Sequence, residues 1–389
     1  MNSLGVRWDW QKWWIISYAI GLTLIPPIQY HDRLIFSAEW LLIPLILGVI
    51  WVFLKRQILR PPKALLYVWG ACILTFIAGA FRGDLAVRIS IYDLKLFKYF
   101  ALKDDGIVFL RTIILFSTPW LLRNLIQKNR AQYLNLFMTA FKVCILLSAI
   151  LAILDKRALG LVDLSNWGYF SSDYEFWSAR ARGTFNTPID ASFMYGVSAV
   201  YLLTGPEPLV KNTFNFIVLG FSLIAMLLTH GGTAIGGLLI SVLAFLVFER
   251  SFKRRDLYFA FGLIILACLL STLILPDHFL THKMGDFVYR LKTYTNYLSV
   301  APTSPWIFLA GIGFSRLCAD NNFILLFIQG GIVFFVAVLN WIRVLLKQVP
   351  KSLLFTFLFW GLSWLSFDTM GYWGIGRFCW FLFGLVEVL

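Results

Sequence analysis

Charge is what this sequence has least of. Of its 389 residues only 14% are Asp, Glu, Lys or Arg, while 59% are hydrophobic and the mean hydropathy is +0.77. A soluble domain of this size carries about 25% charged residues. The shortfall excludes a water-facing surface for most of the chain and implies that lipid is the main solvent. Cysteine is scarce as well. Cys72, Cys144, Cys268, Cys318 and Cys379 are scattered, four of them inside apolar runs, and none has metal-site spacing, so they read as small core hydrophobes. His31, His278 and His282 likewise lack ligand spacing. No Gly-x-x-x-x-Gly-Lys-Ser/Thr loop is present to cradle nucleotide phosphates, and no carboxylate cluster suggests a divalent metal. The first apolar run continues as a full span with no Ala-x-Ala-like site, so no cleavable signal is expected. A separate soluble domain, low-complexity tracts and internal repeats are also missing; residues 1–389 read as one membrane domain.

What the chain does have is long apolar runs. A bilayer core about 30 Å thick needs about 20 apolar residues per helix. Runs of that kind lie near 12–30, 34–54, 63–81, 107–127, 133–154, 190–205, 213–229, 233–248, 257–275, 322–346, 352–368 and 372–389. The expected fold is therefore all-α, a polytopic bundle of about twelve transmembrane helices. Aromatics at 17%, including 16 Trp and 37 Phe, suit belts at two membrane interfaces.

The formal charge of +14 is assigned to Lys and Arg facing anionic lipid, not to nucleic acid. The basic stretches are Lys55 to Lys63, Arg123 to Arg130, Arg250 to Arg255 and Arg343 to Lys351, and they fall on alternate connections. The positive-inside rule then places all four, and both termini, in the cytoplasm. The opposite side receives three long loops, 82–106, 155–189 and 276–321. Loops of that length are uncommon unless functional or disordered. Residues 85–100 mix apolar and basic positions, as a helix lying in the interface would.

Candidate chemistry sits in those loops. Arg180 and Arg182 precede Gly183 and Pro188, just ahead of a helix beginning near Asp190. A helix N-terminus with adjacent arginine suits an anion, because guanidinium forks match phosphate oxygens. Contact with lipid headgroups is the alternative, and both readings stand. Arg290, which follows Tyr289, is a second candidate phosphate clamp in the third loop. Asp320, ahead of Asn321 and the next span, is either a helix cap or a catalytic group. His230 lies in a tight outer turn as a possible base or a structural residue. Trp177 and its neighbours in 166–177 make that loop rich in aromatics. Glu39, Arg111, Lys142 and Arg377 fall in or near apolar runs, and each is expected to face the bundle interior or snorkel. Arg377, near the outer end of the last span, is placed near a site.

Three segments together resemble the O-antigen polymerase and O-antigen ligase (Wzy-like) superfamily. They are Arg180-x-x-Gly183 followed by Pro188; Arg290 followed by Gly311 and Gly313; and Asp320-Asn321-Asn322-Phe323 followed by Gly330 and Gly331. The resemblance covers roughly residues 140–389. It implies a cofactor-free, metal-independent glycosyltransferase of the GT-C type in a bacterial inner membrane, with its active site in the periplasm. Donor and acceptor would be undecaprenyl-diphosphate-linked oligosaccharides, with membrane lipids and a chain-length regulator as further partners. By position, Arg180, Arg290 and Asp320 would be catalytic. Arg182, Arg377, Asn321, His230, Trp177 and Tyr289 would contact substrate. Ligases of the family carry a histidine where this chain has Asp320, which favours a polymerase. The turn that often reads Ser-Arg in relatives is His230-Gly231 here. A ligase acting on lipid A-core, a transporter or flippase, and a noncatalytic scaffold are the rival expectations. A flippase would show broken helices at the midplane.

Overall fold

The computed structural model describes residues 10–25, 42–54, 59–82, 102–155, 158–164, 180–185, 187–205, 212–248, 305–314, 321–365 and 374–386. It also describes strands at 28–30, 33–35, 89–91 and 94–96 and the single positions 262 and 295. Twelve helices run through these residues. They are α1 (Trp10–Thr23), α2 (Leu42–Leu54), α3 (Lys63–Arg82), α4 (Leu102–Leu125), α5 (Arg130–Leu154) and α6 (Pro188–Thr204). After them come α7 (Thr213–Leu228), α8 (Gly232–Phe248), α9 (Pro305–Ala310), α10 (Asn322–Leu346), α11 (Lys351–Ser363) and α12 (Gly374–Leu385). Eleven of the twelve apolar runs hold one of these helices; the run at 257–275 lies, but for position 262, outside the described residues.

Local chemistry sets several helix starts. Thr187 accepts the N–H of Asp190 at 3.1 Å, and Pro188 occupies the first turn of α6, where its missing donor costs nothing. Asn212 caps α7 by accepting from Phe214 and Asn215. Asn321 caps α10 by accepting from Ile324 at 3.1 Å. Each such cap contributes about 1 kcal/mol. Four helices of the described residues are long and apolar enough to cross a membrane, within α3, α4, α5 and α10, with mean hydropathy between 1.4 and 2.4. Shorter apolar helices (α7, α8, α11 and α12) pack among them. The protein is thus a helical membrane-embedded bundle.

One local expectation is corrected. Within 85–100, where an interfacial helix is expected, the described residues Ile89–Ile91 and Leu94–Leu96 are strands that pair antiparallel. Isoleucine and leucine alternate there with polar residues at period two, which suits a strand better than a helix. A second small hairpin pairs Ile28–Tyr30 with Arg33–Ile35.

At the centre stands α12, buried along its whole length, with α1, α4, α5, α6 and α11 around it. A helix that is apolar all round belongs in an interior. Its aromatic residues fill the space: Phe381 stacks on Tyr18 at 4.0 Å, Phe383 on Phe357 at 3.9 Å, and Trp380 meets Phe116 edge-on at 5.1 Å. In lipid the hydrophobic effect does not favour one apolar neighbour over another, so packing of this kind and close contact at small residues hold helices together. Gly196 on α6 and Gly237 on α8 both receive the ring of Phe359 from α11.

α10 is broken. Gly331 has φ 64° and ψ −167°, nine residues after Asn322. The short helix α9 leads into Gly311, whose φ is +68°. The next residues reach the break: the N–H of Ile312 donates to the carbonyl of Ile328 at 2.8 Å, and that of Gly313 to Gln329 at 2.9 Å. A β-carbon at Gly311 would lie 2.1 Å from the Gln329 carbonyl oxygen. The two glycine motifs of the sequence therefore close on each other. Backbone groups within a bilayer must find partners inside the protein, and residues 311–313 supply them at the break.

Candidate functional site

The site builds from Ser148 on α5. Its hydroxyl lies 2.9 Å from Tyr195 Oη on α6, and the tyrosine hydroxyl donates to the Ser148 carbonyl at 3.1 Å. The loop before α6 docks on this pair. Gly183 takes φ +58°, and a β-carbon there would stand 2.4 Å from Tyr195 Oη and 2.5 Å from the Ser148 carbonyl oxygen. The Thr184 N–H donates to Ser148 Oγ at 3.3 Å, and its hydroxyl donates to the Thr23 carbonyl at the end of α1. Phe185 meets Tyr195 edge-on at 5.4 Å. Because Ser148 lies six residues before the end of α5, the loop dips about 9 Å below that end.

This docking carries Arg180 and Arg182 inward. They are 8% and 3% exposed, Asp190 is 3% exposed and Arg377 5%. All four side chains are therefore inside the protein and not on its surface.

Asp190 is the residue that sequence reasoning missed as a site member. Its backbone completes the Thr187 cap of α6, while its carboxylate caps a different helix. Gly374 N–H donates to Asp190 Oδ1 at 2.9 Å, and the N–H of Ile375 bonds to the same carboxylate. The guanidinium of Arg377, one turn into α12, lies within electrostatic reach of that carboxylate. Gly374 fits because it has no side chain: a β-carbon would lie 3.2 Å from Met194 Sδ and 3.3 Å from Asp190 Oδ1. One carboxylate therefore joins the first turns of α6 and α12. Asp155, buried at the end of α5, acts electrostatically on Tyr195. Three arginines and two carboxylates are thus buried at one end of the α1–α5–α6–α12 cluster.

At the N-terminus of α6 the Thr187 side chain takes one backbone donor, the N–H of Asp190, and Asp190 places negative charge in the first turn.

His230 takes φ 54° in the turn between α7 and α8. The next residue, Gly231, packs on α6, where a β-carbon would lie 2.3 Å from Ser192 Cβ. The turn therefore rests on the first turns of α6, near Asp190 in sequence. Asn321 caps α10, and its Nδ2 donates to the Leu365 carbonyl at 3.3 Å. The capping role weighed for Asp320 thus falls on Asn321. Asp320, Arg290, Tyr289 and Trp177 lie outside the described residues, as does Glu39. Lys142 faces the interior and donates to Asn215 Oδ1 at 3.0 Å, away from the arginine loop. Among the described residues, no three His, Cys, Asp or Glu side chains gather to hold a metal ion.

Fold and site together define a helical membrane protein with a buried cluster of arginines and carboxylates at one end. No protein-family model and no curated protein matches the chain.

Proposed function

We propose that this chain is a glycosyltransferase of about twelve spans in a bacterial inner membrane, polymerising lipid-linked repeat units at the outer face. The observation that carries this reading is the burial of Arg180 and Arg182 on a loop anchored to three helices. Guanidinium groups held in a partly dry site stabilise developing phosphate charge more strongly than they would in water. The resemblance of the Arg180, Arg290 and Asp320 segments to the O-antigen polymerase and ligase superfamily points to the same chemistry.

In the proposed step, a hydroxyl of the acceptor glycan attacks the anomeric carbon of the donor from the face opposite the diphosphate. The new glycosidic C–O bond forms as the anomeric C–O bond to the diphosphate breaks, so configuration inverts. The hydroxyl proton passes to a base, for which Asp320 is the candidate. The bonding electrons leave with undecaprenyl diphosphate, whose charge Arg180, Arg182 and Arg290 would offset without a metal. Arg377, already facing Asp190, would hold the inner wall of the site, with His230, Asn321, Trp177 and Tyr289 around the glycan.

Purified protein incubated with a synthetic undecaprenyl-diphosphate oligosaccharide tests this directly. A product ladder that persists in EDTA is expected, and Arg180→Ala should abolish it while the protein stays inserted. Single repeat units alone, from well-folded protein, would overturn the proposal. A second reading, a flippase for lipid-linked sugars, draws support from the break in α10 at Gly331. It predicts movement of labelled lipid-linked sugar across proteoliposomes with no new glycosidic bond. A ligase would instead require lipid A-core as acceptor.

A further inference from the structure

An open-sided groove of about 650 Å³ lies between α8, the end of α10 and α11, far along those helices from the arginine loop. Its wall includes Phe248, Leu346, Leu354, Leu358 and Gly361, and its one charged residue is Lys351 at an end. Phe248 and Leu358 expose apolar surface along it. Three features define what fits. The first is length: Lys351 to Gly361 is ten residues of helix, about 15 Å, which is half of a bilayer core about 30 Å thick. The second is charge. The charged residues of α10 and α11, together with the Lys347 cap between them, are Arg343, Lys347 and Lys351, all exposed; Lys351 lines the groove, and the other two lie within eight residues of it in the chain. The third is depth. A β-carbon added at Gly361 meets nothing within 4 Å, so the far end is open space.

We infer that this groove binds one anionic phospholipid from the leaflet at the basic end. An acyl chain would lie along α11 to Gly361, and the phosphate would sit among Lys351, Lys347 and Arg343. The length matches one leaflet, which a membrane-crossing polyprenyl chain would exceed. The cations select phosphatidylglycerol over phosphatidylcholine of equal chain length. Their stretch is one of the four that the positive-inside rule assigns to the cytoplasmic face, where anionic lipid is concentrated. This inference is independent of the proposed transferase activity.

The test uses the full chain in mild detergent, titrated with phosphatidylglycerol or phosphatidylcholine and read by native mass spectrometry. In parallel, phosphatidylglycerol bearing a photoreactive group near the end of one acyl chain is cross-linked and mapped. Retention of phosphatidylglycerol about 100-fold above phosphatidylcholine is expected from three cations at about five-fold each, with cross-links in 354–361. The Lys347→Gln/Lys351→Gln variant should lose about five-fold of that retention per cation removed, with phosphatidylcholine unchanged. Gly361→Leu, whose β-carbon enters open space, should remove the cross-link while phosphatidylglycerol still competes at the basic end. Equal retention of the two lipids would overturn the inference. So would cross-links confined to other helices, or capture of the chain's own residues 249–304 by a photoreactive amino acid placed at position 358. If Gly361→Leu fails to fold, the lysine variant alone decides.

Discussion

Replacing Asp190 should expose how much of this end of the bundle depends on one carboxylate. Its Oδ1 accepts the Gly374 N–H at 2.9 Å, and the Ile375 N–H and the Arg377 charge face the same group. Asp190→Ala leaves two buried donors at the start of α12, each costing about 1–3 kcal/mol when unsatisfied. It also strips a buried guanidinium of its neighbouring negative charge, a change that typically costs about 3–5 kcal/mol. These terms share one side chain and do not add, so the expected loss is about 4 kcal/mol. Asp190→Asn keeps an oxygen for Gly374 but drops the charge, for an expected loss of about 2 kcal/mol. At about 2 °C per kcal/mol for a chain of this size, the apparent melting temperature in detergent should fall by about 8 °C and about 4 °C. The decisive measurement is a double-mutant cycle with Arg377→Met. Removing both partners should recover at least about 1 kcal/mol relative to the sum of the single changes. Additive single changes, or a shift below about 2 °C for Asp190→Ala, would refute the assignment of Asp190 as the carboxylate that organises this end.

Gly183→Ala should destabilise by about 3 kcal/mol or more, since it forces a side chain into a left-handed turn against the Ser148 carbonyl; detergent melting curves measure it. In contrast, Tyr195→Phe, which loses only the hydroxyl bonds to Ser148, should cost about 1 kcal/mol in the same assay. Asn321→Ala should cost about 1 kcal/mol through loss of the α10 cap, and Asn321→Asp should restore it; any loss of polymer formation beyond that stability effect would assign Asn321 a substrate contact. Gly331→Ala places a β-carbon 2.4 Å from the Leu309 backbone at a positive φ, so α9 should detach from α10, read as proteolytic cleavage near 305–314. Under the proposed function, Arg182→Lys should retain insertion but reduce polymer yield at least ten-fold, because an ammonium cannot reproduce the planar fork.

The membrane class, the helical fold and most helix positions follow from the sequence alone, because a bilayer demands long uninterrupted apolar runs and the chain carries them. The apolar runs also placed the starts of α6, α7 and α10 within two residues, although the cap weighed at Asp320 for α10 is Asn321. The hairpin at 89–96 was misread because a short stretch of alternating apolar and polar residues suits a strand and an interfacial helix nearly alike. Tertiary structure alone decided the rest. It buried Arg180 and Arg182 by docking Gly183 on Ser148 and Tyr195. It brought Gly374 to Asp190 across 184 residues of chain, and it closed Gly311–Gly313 on the break at Gly331. Such pairings have no local signature. A glycine or an aspartate reads the same in sequence whether its partner is water, its own helix or a helix far along the chain, and only packing chooses among them.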